Sequence, residues 1–67
     1  IQSIAHLQDS DQELAGHLLI TVGKLAKQLG LESGYRTIVN TGKEGGQTVD
    51  HLHLHLLGGR SLHWPPG

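Results

Sequence analysis

Six consecutive residues alternate without a break between imidazole and leucine side chains: His51-Leu52-His53-Leu54-His55-Leu56. A period of two is the signature of a strand, in which successive side chains point to opposite faces. Leu52, Leu54 and Leu56 then form one apolar face. His51, His53 and His55 form the other, each about 6.5–7 Å from the next. Such a strand packs on one side and presents chemistry on the other, so the chain must also supply an apolar element to cover its leucines.

The segment from about Asp11 to Leu29 is that element. Leu14, Leu18, Val22, Leu25, Ala26 and Leu29 recur at steps of three and four, which predicts an amphipathic helix over 11–29. Asp9, Ser10 and Asp11 offer capping side chains at its start, with Glu13 favourable near the positive end of the dipole. Lys24 and Lys27 sit towards the C-terminal end. Gly30 is able to take positive φ just beyond it, with Leu31 as the accompanying apolar contact. Gly16 and Gly23 each cost about 1 kcal/mol against Ala in a helix interior; they predict close packing or a helix held by tertiary contacts.

After a turn at Glu32-Ser33-Gly34, the β-branched and aromatic run Tyr35–Asn40 predicts a first strand. Thr41–Gln47 is a polar loop with three glycines. A second strand is expected over 48–57, and 58–67 form a tail in which Pro65-Pro66 forbids regular pairing. The spacing of Ile1, Ile4 and Leu7 is too short a run to assign.

One helix and two strands make a thin domain. The chain has 67 residues, no Cys, two aromatics (Tyr35 and Trp64), and 36% hydrophobic residues. A chain of this length buries only about 60% of its unfolded surface. An isolated two-stranded hairpin is marginal in water, and no disulfide or Cys-based metal staple is available. The expectation is a fragment, residues 1–67 forming part of a single α+β domain whose other strands come from sequence elsewhere or from another chain.

Five Lys and Arg against six Asp and Glu give a formal net charge of -1, which argues against a nucleic-acid binder driven by phosphate-backbone electrostatics. Runs such as Leu18-Leu19-Ile20 fall far short of the roughly 20 residues a membrane span needs. No signal-peptide pattern appears at the start, and the absence of Cys is compatible with a reducing, cytoplasmic setting.

Three readings of the histidine face are open. It can be the polar surface of a strand. It can bind Zn²⁺ through two His at i and i+2, with His6, His17 or Asp50 recruited as a further ligand. Or imidazole can act as nucleophile or acid–base group, since His titrates near neutrality. The preceding loop bears on the choice. Asn40-Thr41-Gly42-Lys43-Glu44-Gly45-Gly46-Gln47-Thr48 offers backbone N–H groups at its glycines, with amide and hydroxyl donors at Asn40, Gln47 and Thr48, an inventory that suits phosphate oxygens. It lacks the spacing of a Walker loop.

His51-Leu52-His53-Leu54-His55-Leu56-Leu57 resembles the His-φ-His-φ-His-φ-φ motif of the histidine triad (HIT) family. Gly34–Asn40, Gly45–Val49, and the ending Leu57-Gly58-Gly59-Arg60…His63-Trp64-Pro65-Pro66-Gly67 are similar to its Hint branch, the histidine triad nucleotide-binding proteins. The resemblance covers nearly the whole chain and corresponds to the C-terminal half of a family domain. It implies an α+β fold in which an antiparallel five-stranded sheet carries the long helix, and a homodimer with a continuous sheet. It also implies hydrolysis of purine nucleoside phosphoramidates and acyl-adenylates, releasing AMP or GMP, with no metal or cofactor.

Matched residue for residue, the resemblance makes His53 the nucleophile on phosphorus, giving a nucleotidyl-histidine intermediate. His55 contacts phosphate oxygens and His51 helps to orient His53. Asn40, Gly46, Gln47 and Thr48 lie on the phosphate side, and Trp64 reaches the partner's active site. Thr48 keeps a hydroxyl where relatives carry Ser, and Asp50 departs from the family pattern.

Overall fold

Helix α1 spans Gln12–Gln28, strand β1 Tyr35–Ile38 and strand β2 His55–Gly58 in the computed structural model, which describes all of residues 1–67. The fold is α+β. The two strands pair antiparallel with Tyr35 opposite Gly58, Arg36 opposite Leu57, Thr37 opposite Leu56 and Ile38 opposite His55.

The helix lies within a residue of each expected end. Its start is shaped differently from a simple side-chain cap. A 3₁₀ turn at Asp9–Asp11 leads into it, and the Gln8 N–H donates to the Asp11 carboxylate at 2.9 Å. Asp11 therefore secures the turn before the helix and caps none of the helix's own N–H groups. The C-terminal end closes as the glycine requires. Gly30 has φ +73°, the Leu31 N–H donates to the Ala26 carbonyl at 2.9 Å, and the Gly30 N–H donates to the Lys27 carbonyl at 3.1 Å. These two crossed bonds satisfy carbonyls that the helix end would otherwise leave without partners.

Both strands are shorter than the sequence predicts. The first stops at Ile38 instead of Asn40, and the second, expected over 48–57, occupies only His55–Gly58. The reason is the ladder itself. Once β1 ends at Ile38, no strand of this chain runs beside residues 48–54 to accept and donate bonds. A single main-chain bond replaces that ladder, from the Leu52 N–H to the Ile1 carbonyl at 2.8 Å. It lays the chain's first residues along the approach to β2.

The leucine face of the histidine run does meet the helix side. Leu52 and Leu54 line an apolar cleft of about 200 Å³ with Ile4, Leu18 and Val39. Packing is nonetheless sparse, and the only buried residues are Ser3, Val22 and Ala26. Leu19 and Ile20 on the helix and Leu29 just past its end are each 60% or more exposed. A Cβ placed on Gly16 or Gly23 would meet nothing within 4 Å, so the close packing expected of these glycines is not made by residues of this chain. The accessible surface is 5413 Å², against about 4100 Å² for a folded monomer of this mass. The radius of gyration is 13.1 Å, against about 11 Å for a compact chain of this length. No helix is long and apolar enough to cross a membrane.

Candidate active site

The histidine run leaves a bend before it becomes a strand. Val49, Asp50 and His51 form that bend, closed by the His51 N–H donating to the Val49 carbonyl at 2.8 Å. From there the chain extends through His53 into β2. The rings of His53 and His55 meet edge to face, with centroids 5.0 Å apart and planes at 79°. His53 is half-buried, while His51 and His55 are exposed.

One contact fixes the chemistry of His53. Its Nδ1 lies 2.6 Å from the main-chain carbonyl oxygen of His51. A carbonyl can only accept, so Nδ1 carries the proton. In the neutral ring the lone pair is then on Nε2, the nitrogen not engaged by His51. An imidazole with one nitrogen fixed by an acceptor and the other carrying a lone pair is the form that attacks an electrophile or takes a proton. The group that His51 contributes is its peptide carbonyl; its ring takes no part in the contact. A residue-type motif shows three imidazoles and is silent on which main-chain oxygen orients which ring.

The loop beside the histidines folds on itself more tightly than its composition suggests. The Gly46 N–H donates to the Lys43 carbonyl at 3.1 Å, and the Gln47 N–H to the Gly42 carbonyl at 3.0 Å. Gly46 holds φ +83°, and a Cβ on Gly45 would collide with the Thr41 carbonyl. The Asn40 side-chain amide donates to the Gly45 carbonyl at 2.7 Å.

Gln47 is engaged within the chain. Its Oε1 accepts from the Gly42 N–H at 2.9 Å, while its Nε2 donates to the carbonyls of Gln2 at 2.7 Å and Val49 at 3.0 Å. The side chain expected to offer a free donor to phosphate is committed within the chain, as are the N–H groups of Gly46 and Gln47. Thr48 is exposed. Neither the apolar cleft nor a second, larger cleft beside Tyr35, Arg36 and Arg60 is lined by the three histidines.

The tail is anchored at the opposite end of the sheet. Arg36 Nη2 donates to the His63 carbonyl at 2.8 Å, and Arg60 Nη1 to the Ser61 carbonyl at 3.0 Å. Trp64 follows with 83% of its surface exposed. The sequence signal for Arg36 is slight, a single cation in an otherwise neutral strand. His6 belongs to a separate local network, in which its Nδ1 is 2.9 Å from the hydroxyl of buried Ser3, and that hydroxyl accepts from the Ala5 N–H. His17 contributes its carbonyl to the Thr21 hydroxyl. Neither joins the histidine run, and no three His, Cys, Asp or Glu side chains converge as a metal-binding group.

Comparison with known proteins gives concordant results. The family model described as HIT domain matches residues 1–62. An uncharacterised HIT-like protein of Synechococcus elongatus is 62% identical over 98% of this chain and 60% of its own length. A 14 kDa zinc-binding protein of Zea mays is 46% identical over 100% of this chain and 52% of its own length. Among solved structures, a HIT family hydrolase from Legionella pneumophila superposes with a TM-score of 0.97 at 51% identity, covering all of this chain and 61% of that one. A histidine triad protein from Clostridium difficile gives 0.88 at 36% identity, covering 94% of this chain and 56% of that one. The chain thus spans just over half the length of the relatives it matches.

Proposed function

The chain belongs to the HIT domain family, and from that membership we propose that it carries the phosphate-handling end of a Hint-type nucleotide hydrolase. The substrates on this reading are purine nucleoside phosphoramidates or acyl-adenylates. Nε2 of His53 attacks the phosphorus, and the P–N or P–O bond to the leaving group breaks. The leaving group departs, an amine taking a proton from solvent. Water then cleaves the N–P bond of the nucleotidyl-histidine, releasing AMP or GMP and restoring the imidazole. His55 faces the phosphate oxygens from the adjoining ring, with Thr48 and Asn40 on the loop side. The active form is a homodimer in which Trp64 reaches the partner's site, and its setting is the cytoplasm.

The observation that supports this reading best is the 2.6 Å contact from His53 Nδ1 to the His51 carbonyl, which leaves the lone pair on Nε2. Phosphoryl transfer asks the protein mainly for position and charge complementarity, and an oriented neutral imidazole meets the first demand. The test is acid-quenched mass spectrometry of the protein mixed with an adenosine phosphoramidate. An adenylate adduct on His53 is expected, and His53→Ala abolishes both adduct and turnover while AMP binding persists. Normal rates in the variant overturn the nucleophile assignment. AMP binding without turnover by the unaltered protein replaces the hydrolase with a nucleotide-binding scaffold.

The name of the maize relative raises zinc. A structural or catalytic Zn²⁺ site takes three or four protein donors, and no such group converges here. His53 Nδ1 is already engaged. The 67 residues by themselves therefore do not supply the three or four donors that a resident zinc ion takes.

A further inference from the structure

Gln47 is linked to His53 through two hydrogen bonds that share the Val49 carbonyl, the backbone of His51, and the contact of His53 with the His51 carbonyl. Its Nε2 donates to the Val49 carbonyl at 3.0 Å. The same oxygen accepts the His51 N–H at 2.8 Å, closing the bend from which the histidine run emerges. The His51 carbonyl, on the next peptide, accepts from His53 Nδ1 at 2.6 Å. At the other end of the amide, Oε1 takes the Gly42 N–H at 2.9 Å, and the second Nε2 donor bond reaches the Gln2 carbonyl at 2.7 Å. One side chain thus ties the glycine loop, the first residues of the chain, and the bend that aims the His51 carbonyl. No ladder does this work, since residues 48–54 lie outside both strands; the peptide that carries the His51 carbonyl is held on its other side by the Leu52 N–H donating to the Ile1 carbonyl at 2.8 Å, and Gln47 fixes that same first segment through Gln2.

We propose that Gln47 is a positioning residue: through the Val49–His51 bend it sets where the His51 carbonyl points, and so holds His53 in its Nδ1–H tautomer with Nε2 free. It touches neither phosphate nor nucleophile. A glutamine suits the position because the task needs one acceptor and two donors on a single planar head. Glutamate keeps the acceptor and turns the donors into lone pairs facing two carbonyls. Methionine keeps the length and lacks all three bonds. The catalytic consequence rests on the function proposed above; the tautomer consequence does not.

The test therefore reads both. Gln47→Met and Gln47→Glu are made in the complete protein, and His tautomers are followed by long-range ¹H–¹⁵N spectra of the imidazole rings, alongside kcat and KM for an adenosine phosphoramidate. In the unaltered protein His53 shows a single Nδ1–H form. In both variants that form gives way to a mixture with the Nε2–H tautomer. The variants' kcat falls by about 10- to 100-fold, the scale of a slightly misplaced reacting group, while KM moves less than threefold. A residue that only stabilises the fold would lower the melting temperature and leave the His53 tautomer unchanged in the folded protein.

Wild-type tautomer and kcat in either variant overturn the inference. So does loss of folding in both variants, which makes Gln47 a stability element. If the unaltered protein shows no turnover, the function reading fails and the tautomer spectra alone decide the role of Gln47.

Discussion

His55 and the loop glycines give the site its residue-scale tests. The His55 ring stands edge to face with His53 at 5.0 Å between centroids, close enough to share a phosphate group, and the one hydrogen bond of the His53 ring goes to the His51 carbonyl. On the proposed mechanism His55 stabilises charge on the phosphoryl oxygens. His55→Ala should lower kcat by about 10²- to 10³-fold, the effect of removing one donor from a developing anion, while the His53 Nδ1 contact survives. Stopped-flow assay together with imidazole NMR checks both halves. Gly46 needs its positive φ of +83°, a conformation that costs about 1–2 kcal/mol for a residue with a Cβ. Gly46→Ala should lower stability by that amount in urea titration. Gly45→Ala must shift the Thr41 peptide to avoid a collision, and its melting temperature should fall further than that of Gly46→Ala.

Element by element, what the sequence announces depends on how local the cause is. Helix α1 is set by residues three and four apart and by a glycine one position beyond its end, so its extent is legible within one window. The alternation of His and Leu is equally legible as a choice of faces, since Leu52 and Leu54 do line the helix-side cleft. The length of β2 is not, because a strand exists only where another backbone runs beside it, and β1 ends opposite His55. The orientation of His53 lay further out of reach: it depends on the carbonyl of His51 and on a bend at Val49–His51, which side-chain identities do not encode. Gly16 and Gly23 give an element-scale prediction. With open space at both positions, Gly16→Ala and Gly23→Ala should each raise the stability of residues 1–67 by about 0.5–1 kcal/mol through helix propensity. Circular-dichroism melts of the 67-residue chain read this directly. A loss of stability instead would mean that another surface packs against that face.

At the scale of the whole molecule, the excess of about 1300 Å² over the surface of a compact chain of this mass is the dominant fact. Part of it is apolar surface at Leu19 and Ile20 on the helix and at Leu29 just past its end, which lies uncovered in the single chain. Apolar area removed from water stabilises by roughly 25 cal/mol per Å². Covering even 300 Å² of that surface therefore contributes several kcal/mol, comparable with the whole stability of a small domain. Residues 1–67 alone should therefore bind a fluorescent apolar dye and unfold over a broad, weakly cooperative range. Association that covers the surface links stability to concentration by mass action. The melting temperature should rise by several degrees between micromolar and millimolar protein, with sedimentation equilibrium showing the matching shift towards dimer. A sharp melt independent of concentration, with no dye binding, would show that the exposed leucines need no cover and that the few buried contacts of Val22 and Ala26 suffice.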